Sequence, residues 1–232
     1  MRVAVLLVAV VGCRTAATPP LAPAASYETH LAAAARLEDD ATFHSEAAEV
    51  ARQRGPTYEC ETHPESEQTT SGTERLNGTR VCDDVAASDE RRHRREADRL
   101  RAEAGHQRGL ARSLLDADRR ACAGLGLEVL RDPPLRRHAA RARVEAVAGG
   151  ARITLAGPGV DGGQVRRELG CHRARAALMG HDPAYMPSEP AVVAGARLTI
   201  EVSVAAVVIT IVSDDAGSAE TILRRAEALV GR

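Results

Sequence analysis

Two stretches in the second half of the chain decide the fold. The first is RITLAGPGVDGGQVRRELGCHRARAAL, from Arg152 to Leu178, and the second is VVITIVSDDAGSAETILRRAEALV, from Val207 to Val230. Each begins with a β-branched run, continues through a turn rich in Gly or Asp, and ends with apolar residues at helical spacing. The sequence therefore predicts the same strand–turn–helix unit twice.

The flanking residues complete each unit with one more strand. Gly149-Gly150 lies between two short β-rich runs, which is typical of a hairpin, and Ser213-Asp214-Asp215 offers capping side chains to the last helix. The predicted strands are Val144–Val147, Ile153–Ala156, Arg197–Val202 and Val207–Val212, and the predicted helices are 162–178 and 216–230. We expect an α+β domain over residues 142–232, in the order ββαββα, with two helices on one face of an antiparallel sheet.

The first half of the chain predicts a long antiparallel helical hairpin over residues 26–125. The stretch from Tyr27 to about Arg54 contains no Gly or Pro and is rich in Ala, Glu and Arg, so it predicts the first helix. The stretch from Ser88 to about Gly124 is dense in charge at helical spacing and predicts the second. The whole could form a coiled-coil stalk.

Two connecting segments have no core-forming pattern. Residues 55–84 begin with the helix-stopping Gly55-Pro56 and are otherwise polar, so they predict a long loop between the helices. Residues 126–141 contain Pro133-Pro134 and are expected to form a linker to the second domain.

Four cysteines follow Cys13: Cys60, Cys82, Cys122 and Cys171. An even number in an exported chain favours disulfides, and four cysteines allow three pairings. We favour Cys60–Cys82, which would pinch the ends of the polar loop, together with Cys122–Cys171.

Soft metal ligands cluster around the last of these cysteines. Thiolate, imidazole and thioether groups within sixteen residues suit copper(I) or another soft metal. The candidate ligands are Cys171, His172, Met179, His181 and Met186. The sequence lacks C-x-x-C and H-x₃-H spacing, and a Cys122–Cys171 bridge would remove the thiolate. Our main expectation is therefore that the protein binds no cofactor, and a soft-metal site is the alternative.

Other motifs argue against a cofactor or an enzyme. Residues Gly157 to Gly162 spell G-x-G-x-x-G, with Asp182 twenty residues further on, but the strands that follow form a hairpin and Asp161 would oppose a pyrophosphate. We interpret these glycines as a tight turn and expect no nucleotide cofactor. No G-x-S-x-G or H-E-x-x-H occurs, so no catalytic residue is assigned.

Composition removes further classes of ligand. The chain has 31 basic and 32 acidic residues, so no overall field attracts nucleic acid. It has no Trp, one Phe and three Tyr, which disfavours sugar and base stacking. The basic run Arg91–Arg95 could bind phosphate or lipid headgroups, but flanking acids favour a solvated helix face.

The first residues predict export. Arg2 precedes the apolar run Val3–Val11, which is too short to span a bilayer and fits a signal peptide over residues 1–12. Val10-Val11-Gly12-Cys13 resembles the lipobox of bacterial lipoproteins. That resemblance implies cleavage before Cys13, a diacylglycerol thioether on its sulfur and an acylated N-terminus. Residues 13–25 would then be a Pro/Ala tether.

The wider chain resembles a group of outer-membrane-type lipoproteins of high-GC bacteria, to which no activity is assigned. The resemblance is carried by Arg119–Gly124, by Cys171-His172 through Met186-Pro187, and by Ser213–Asp215 with Arg224–Ala226. Since Arg14 is not the Asp that retains such proteins at the inner membrane, it implies outer-membrane attachment facing the periplasm. Two functions remain open: a non-catalytic envelope protein that contacts other proteins, or a periplasmic soft-metal binder.

Overall fold

The structure is a computed structural model that describes residues 25–67 and 75–231. The expected signal peptide and the lipidation site Cys13 lie outside these residues. Helices and antiparallel sheets occur together, which confirms the α+β class. The described chain divides into two compact units, a helical unit of residues 25–125 and 170–182 and a sheet unit of residues 126–169 and 183–231.

Two long helices form the helical unit. Helix α1 (Tyr27–Arg54) begins where the hydroxyl of Ser26 accepts a hydrogen bond from the backbone of Thr29. Helix α2 (Val85–Ala121) begins three residues before the predicted Ser88, because the carboxylate of Asp84 caps it by accepting from the backbone of Ala87.

The two helices pack through alanines. Those on α1 and those on α2 recur every seven residues, the spacing that keeps one seam of a helix facing its neighbour. The buried alanines at this spacing are Ala34, Ala41 and Ala48 on α1 and Ala97, Ala104 and Ala111 on α2; Ala51, Ala86 and Leu100 are buried as well. His30 bonds Gln107 at 2.7 Å, and His44 bonds His93 at 2.8 Å, so the helices run antiparallel.

The segment between the helices is a β-hairpin, and the prediction of a loop there is wrong. Strand β1 (Tyr58–Glu67) pairs with strand β2 (Arg75–Asp84) over ten residues each. Cys60 faces Cys82 directly across the pair and is bonded to it. The sequence of neither strand alternates apolar and polar residues along its whole length, so the pattern that normally reveals a strand is missing.

The sheet unit contains the elements that the opening stretches predict. Strands β3 to β6 form one antiparallel sheet in the order β3-β4-β6-β5. Helix α5 starts in this unit and its residues from Gly170 onward belong to the helical unit. The bounds of the strands are Ala142–Val147 for β3, Gly150–Ala156 for β4, Arg197–Val202 for β5 and Ala206–Val212 for β6. The helices are α3 (Leu127–Arg131), α4 (Pro134–Arg137), α5 (Gly162–Leu178) and α6 (Ala216–Val230), with 3-10 turns at Ala139–Arg141 and Pro190–Val192.

One face of this sheet carries the core. Ile153 of β4 lies opposite Ile209 of β6, and both are fully buried, as are the residues two positions away on either strand. Helix α5 adds Val165 and Leu169, and α6 adds Ile222 to the same cluster. The period-two burial of β6 matches the alternation expected for a sheet with one covered face.

Residues 126–141 belong to the sheet unit, so describing them as a linker is wrong. They contain α3 and α4, and Leu135 on α4 is completely buried in the core cluster. Pro133-Pro134 does not separate domains. It starts α4 instead, because Pro fits the first position of a helix, where no backbone N–H is needed.

Candidate functional site

The sulfur of Cys171 is bonded to another cysteine. Cys122, just beyond the end of α2, and Cys171, within α5, form a disulfide with their Cα atoms 4.6 Å apart. With the Cys60–Cys82 bridge, this is the pairing that the sequence favours, and it is confirmed. A disulfide sulfur is not a thiolate, so in this state the predicted metal cluster has lost its strongest soft ligand.

The remaining members of that cluster differ in their burial and in the elements that hold them. His172 is fully buried, whereas Met179 is 42 % exposed beyond the end of α5. His181 donates its backbone N–H to Ala176 and Gly180 donates to Ala177, which together close α5 as a Schellman motif around the positive φ of Gly180. Met186 belongs to the other unit. Among the described residues, no group of three or more Cys, His, Asp and Glu could hold a metal ion.

The glycine motif Gly157–Gly162 is a strand-to-helix turn. Gly157 and Gly159 both have positive φ, which allows the chain to reverse tightly. The carboxylate of Asp161 accepts from the backbone N–H groups of Gly163 and Gln164 at 2.8 and 3.1 Å. These are the backbone amides that a pyrophosphate would bind at a helix N-terminus, and here the side chain of Asp161 already accepts their hydrogen bonds.

A buried carboxylate that sequence reasoning missed lies in the sheet unit. Glu189 is fully buried, and its oxygens accept from the backbone N–H groups of Leu135 at 3.2 Å and Ala191 at 3.3 Å. Burial raises the pKa of Glu189 to about 7, although both backbone donors and the positive charge of Arg225 oppose the rise. The sequence offers one signal: Glu189 immediately precedes Pro190, which is typical of a residue that caps a short helical turn, here Pro190–Val192.

A second buried carboxylate is held by an ion pair. Glu168 on α5 is 1 % exposed and accepts from Arg137 at 2.7 Å and from the side-chain amide of Gln164 at 2.8 Å. Both of its oxygens are thus bonded. Because every polar atom is satisfied, Glu168 joins α4 to α5 as a structural element and presents no open reactive group.

The outer surface of the helical unit carries exposed apolar residues. Phe43, the only Phe of the chain, is 65 % exposed on α1, and Val50 is 47 % exposed. They border a shallow groove of about 310 Å³, whose other wall includes Asp89 and His93 of α2. An apolar contact region with a polar rim is the usual anatomy of a protein-binding surface.

Ion pairs neutralise much of the basic run on α2. Arg92 pairs with Asp89 at 2.8 Å and Arg94 with Glu90 at 2.6 Å, each one turn apart. Such exposed pairs contribute little to stability but keep the helix face solvated. Beside them, His44 and His93 share a hydrogen bond between their Nδ1 atoms, which links α1 to α2.

Comparison of the chain with protein-family models, curated proteins and solved structures found no match. No helix within the described residues is long and apolar enough to cross a membrane. The two disulfides indicate an exported protein in an oxidising compartment. The surface of α1 and the network around Glu189 are therefore the features from which function has to be argued.

Proposed function

We propose that the protein is a non-catalytic, lipid-anchored protein of the bacterial cell envelope that contacts other proteins through α1. Two acyl modifications at Cys13 would hold it stably, since one chain gives only marginal attachment. The observation that carries the contact role is the exposure of Phe43 and Val50 on the long helix α1. The sheet unit, which we take to be one ββαββα layer, would serve as a rigid body.

The anchor is tested by metabolic labelling with an alkyne-tagged fatty acid. The full-length protein is expected to incorporate the label and to fractionate with membranes, while Cys13→Ser is expected to lose both properties. The variant Arg14→Asp separates the two membranes, because the lipoprotein resemblance implies retention at the inner membrane with Asp at that position. Unlabelled wild-type protein would contradict the anchor.

The contact role is tested by placing a photoreactive residue at position 43 in living cells. Crosslinked products are expected there and not at position 112, an exposed Arg far along α2 from the groove. If neither position gives products above background, α1 is not a contact surface. The readout does not depend on knowing the partner.

The soft-metal alternative is not adopted, because Cys171 is bonded to Cys122. Its test is a thiol count on the mature protein with a copper(I) titration. Free thiols at both positions, together with binding near one ion per chain, would restore the alternative.

A further inference from the structure

Apolar residues on α1 form a stripe along the groove whose other wall includes Asp89 and His93 of α2. Phe43, Ala47 and Val50 are spaced by four and three residues, so they lie along one face of the helix. Phe43 is 65 % exposed and Val50 47 % exposed, whereas Ala47 is half-buried and borders the same groove as the buried Ala51.

Charges of opposite sign end the stripe. Asp39 lies one turn before Phe43, and Arg54 lies one turn after Val50; both are exposed. The order along the helix is thus acid, apolar, apolar, base. Because the two apolar residues lie at equal distances from the centre of this pattern, the stripe is complementary to its own reversed copy.

We propose that the stripe binds the same stripe of a second copy of this chain, with the two α1 helices antiparallel. Phe43 of each copy then packs against Val50 of the other, and Asp39 of each copy pairs with Arg54 of the other. The arrangement is a closed two-fold dimer, in which one patch serves as both partners. The inference rests on the proposed contact role of α1 and names its partner.

Parallel pairing is disfavoured by the same charges. In a parallel pair, Asp39 would face Asp39 and Arg54 would face Arg54, so both ends would repel. In the antiparallel pair both ends attract. Glu46, which also lines the groove, would approach its own copy near the two-fold axis, and Glu46→Gln is therefore expected to strengthen the association.

The patch is small, and attachment to a shared membrane compensates for its size. Two copies held at one surface have a raised effective concentration, so a weak contact can be occupied without a large buried area. The 28-residue length of α1 spans about 42 Å. That length gives both ion pairs and both apolar pairs room within a single helix–helix contact.

The test is co-purification of two differently tagged full-length copies from detergent-solubilised membranes. Wild-type copies are expected to co-purify. We expect co-purification to fall about tenfold when both tagged copies carry Asp39→Arg, or when both carry Arg54→Asp, since two attractions become two repulsions. One copy with Asp39→Arg and the other with Arg54→Asp restores opposite charges at both ends, so co-purification is expected to recover. It is also expected to recover when both copies carry Asp39→Arg together with Arg54→Asp.

The control is Arg112→Asp, which makes the same change of charge on an exposed position of α2 and is expected to leave co-purification unchanged. Failure of wild-type copies to co-purify, an equal loss in the control, or no recovery in the mixture would each overturn the dimer. Fatty-acid labelling of the same samples keeps the outcomes apart. Normal labelling with a failed dimer leaves the proposed anchor standing, whereas absent labelling contradicts the proposed function itself.

Discussion

At the scale of single residues, Glu189 shows how a buried carboxylate can join two short elements. Its oxygens bond the backbone of Leu135 at the start of α4 and of Ala191 in the following turn. Arg225 of α6 donates to the backbone oxygen of Glu189 at 3.1 Å rather than to its carboxylate. Loss of water around the carboxylate is therefore only partly offset, which is why its pKa rises to about 7.

This raised pKa predicts a stability that falls between about pH 4.5 and pH 7. The folded protein keeps the proton on Glu189 in a range where the unfolded chain has already released it, so the stabilising contribution is complete below the unfolded pKa of 4.5 and is lost as the pH approaches 7. The expected loss is about 3 kcal/mol in the free energy of unfolding. Urea unfolding at pH 4.5 and pH 7 measures it.

Glu189→Gln isolates this contribution, because Gln cannot titrate. The variant is expected to lose one backbone hydrogen bond at every pH and to show a much smaller change of stability over the same range. The exposed Glu201→Gln serves as the control and should keep the wild-type slope. A slope in Glu189→Gln equal to that of the wild type would assign the pH dependence to another group.

Arg137 and Glu168 form a second test at this scale. Arg137→Met leaves Glu168 charged and buried without its partner, so we expect a loss of about 2–4 kcal/mol in unfolding free energy. The expected loss is toward the lower end because Arg137 is itself 31 % exposed. Arg137→Met with Glu168→Met is expected to regain most of the stability. Thermal and urea unfolding of the wild type, Arg137→Met, Glu168→Met and the double variant complete the cycle. If the two single losses of unfolding free energy add up to the loss of the double variant, the pair is not coupled.

At the scale of elements, the α1–α2 contact depends on small side chains. Ala41 and Ala104 are 1 % and 0 % exposed, so a larger side chain at either position has to displace its neighbours. A long helix with a thin apolar pattern can still pack, because closely approaching backbones gain dispersion contacts that bulky residues would otherwise provide.

Ala41→Leu is expected to destabilise the helical unit by about 1–3 kcal/mol through overpacking. Ala35→Leu is the matched control, since Ala35 is an exposed residue of the same helix and Leu has nearly the same helix propensity as Ala. Urea unfolding followed by circular dichroism at 222 nm measures both. Equal stability of the two variants would show that the contact between α1 and α2 accommodates a larger side chain at position 41.

The elements also show how far sequence patterns reach. Helices α5 and α6 have the expected bounds, and the strands β3 to β6 differ from prediction by three residues or fewer. Gly-rich and Asp-rich turns mark the ends of these elements, and apolar spacing is clear in β6 and α6. The β1–β2 hairpin was missed because its sequence is mostly polar and does not alternate along its length, although Cys60 and Cys82 face each other across it and are bonded. Glu189 was missed because nothing local marks a charged residue for burial.

At the scale of the whole molecule, two disulfides tie together segments that are distant in sequence. The Cys122–Cys171 bridge spans 49 residues and the Cys60–Cys82 bridge spans 22. Both restrict the unfolded chain, and the restriction grows with the length of the closed loop. A chain with few aromatic side chains gains from such restriction, because it has less large apolar surface to bury.

Removing the longer bridge is expected to cost more than removing the shorter one. In the chain-entropy account, Cys122→Ser with Cys171→Ser loses about 4 kcal/mol, and Cys60→Ser with Cys82→Ser loses about 3 kcal/mol. Unfolding of the oxidised wild type and of both double variants under identical conditions measures the difference. A larger loss in the shorter pair would show that the effect arises in the folded state.

The sequence alone determined the α+β class, the approximate positions of β3 to β6, α5 and α6, and the favoured cysteine pairs, because local patterns and the cysteine count carry that information. Tertiary structure alone decided that residues 126–141 join the core, that Glu189 is buried, and that Phe43 stays exposed. Burial depends on which distant segment arrives to cover a residue, and no local pattern records that. Leu135 shows this most directly, since it follows Pro133-Pro134 in a segment that resembles a linker and is nevertheless completely buried in the core of the sheet unit.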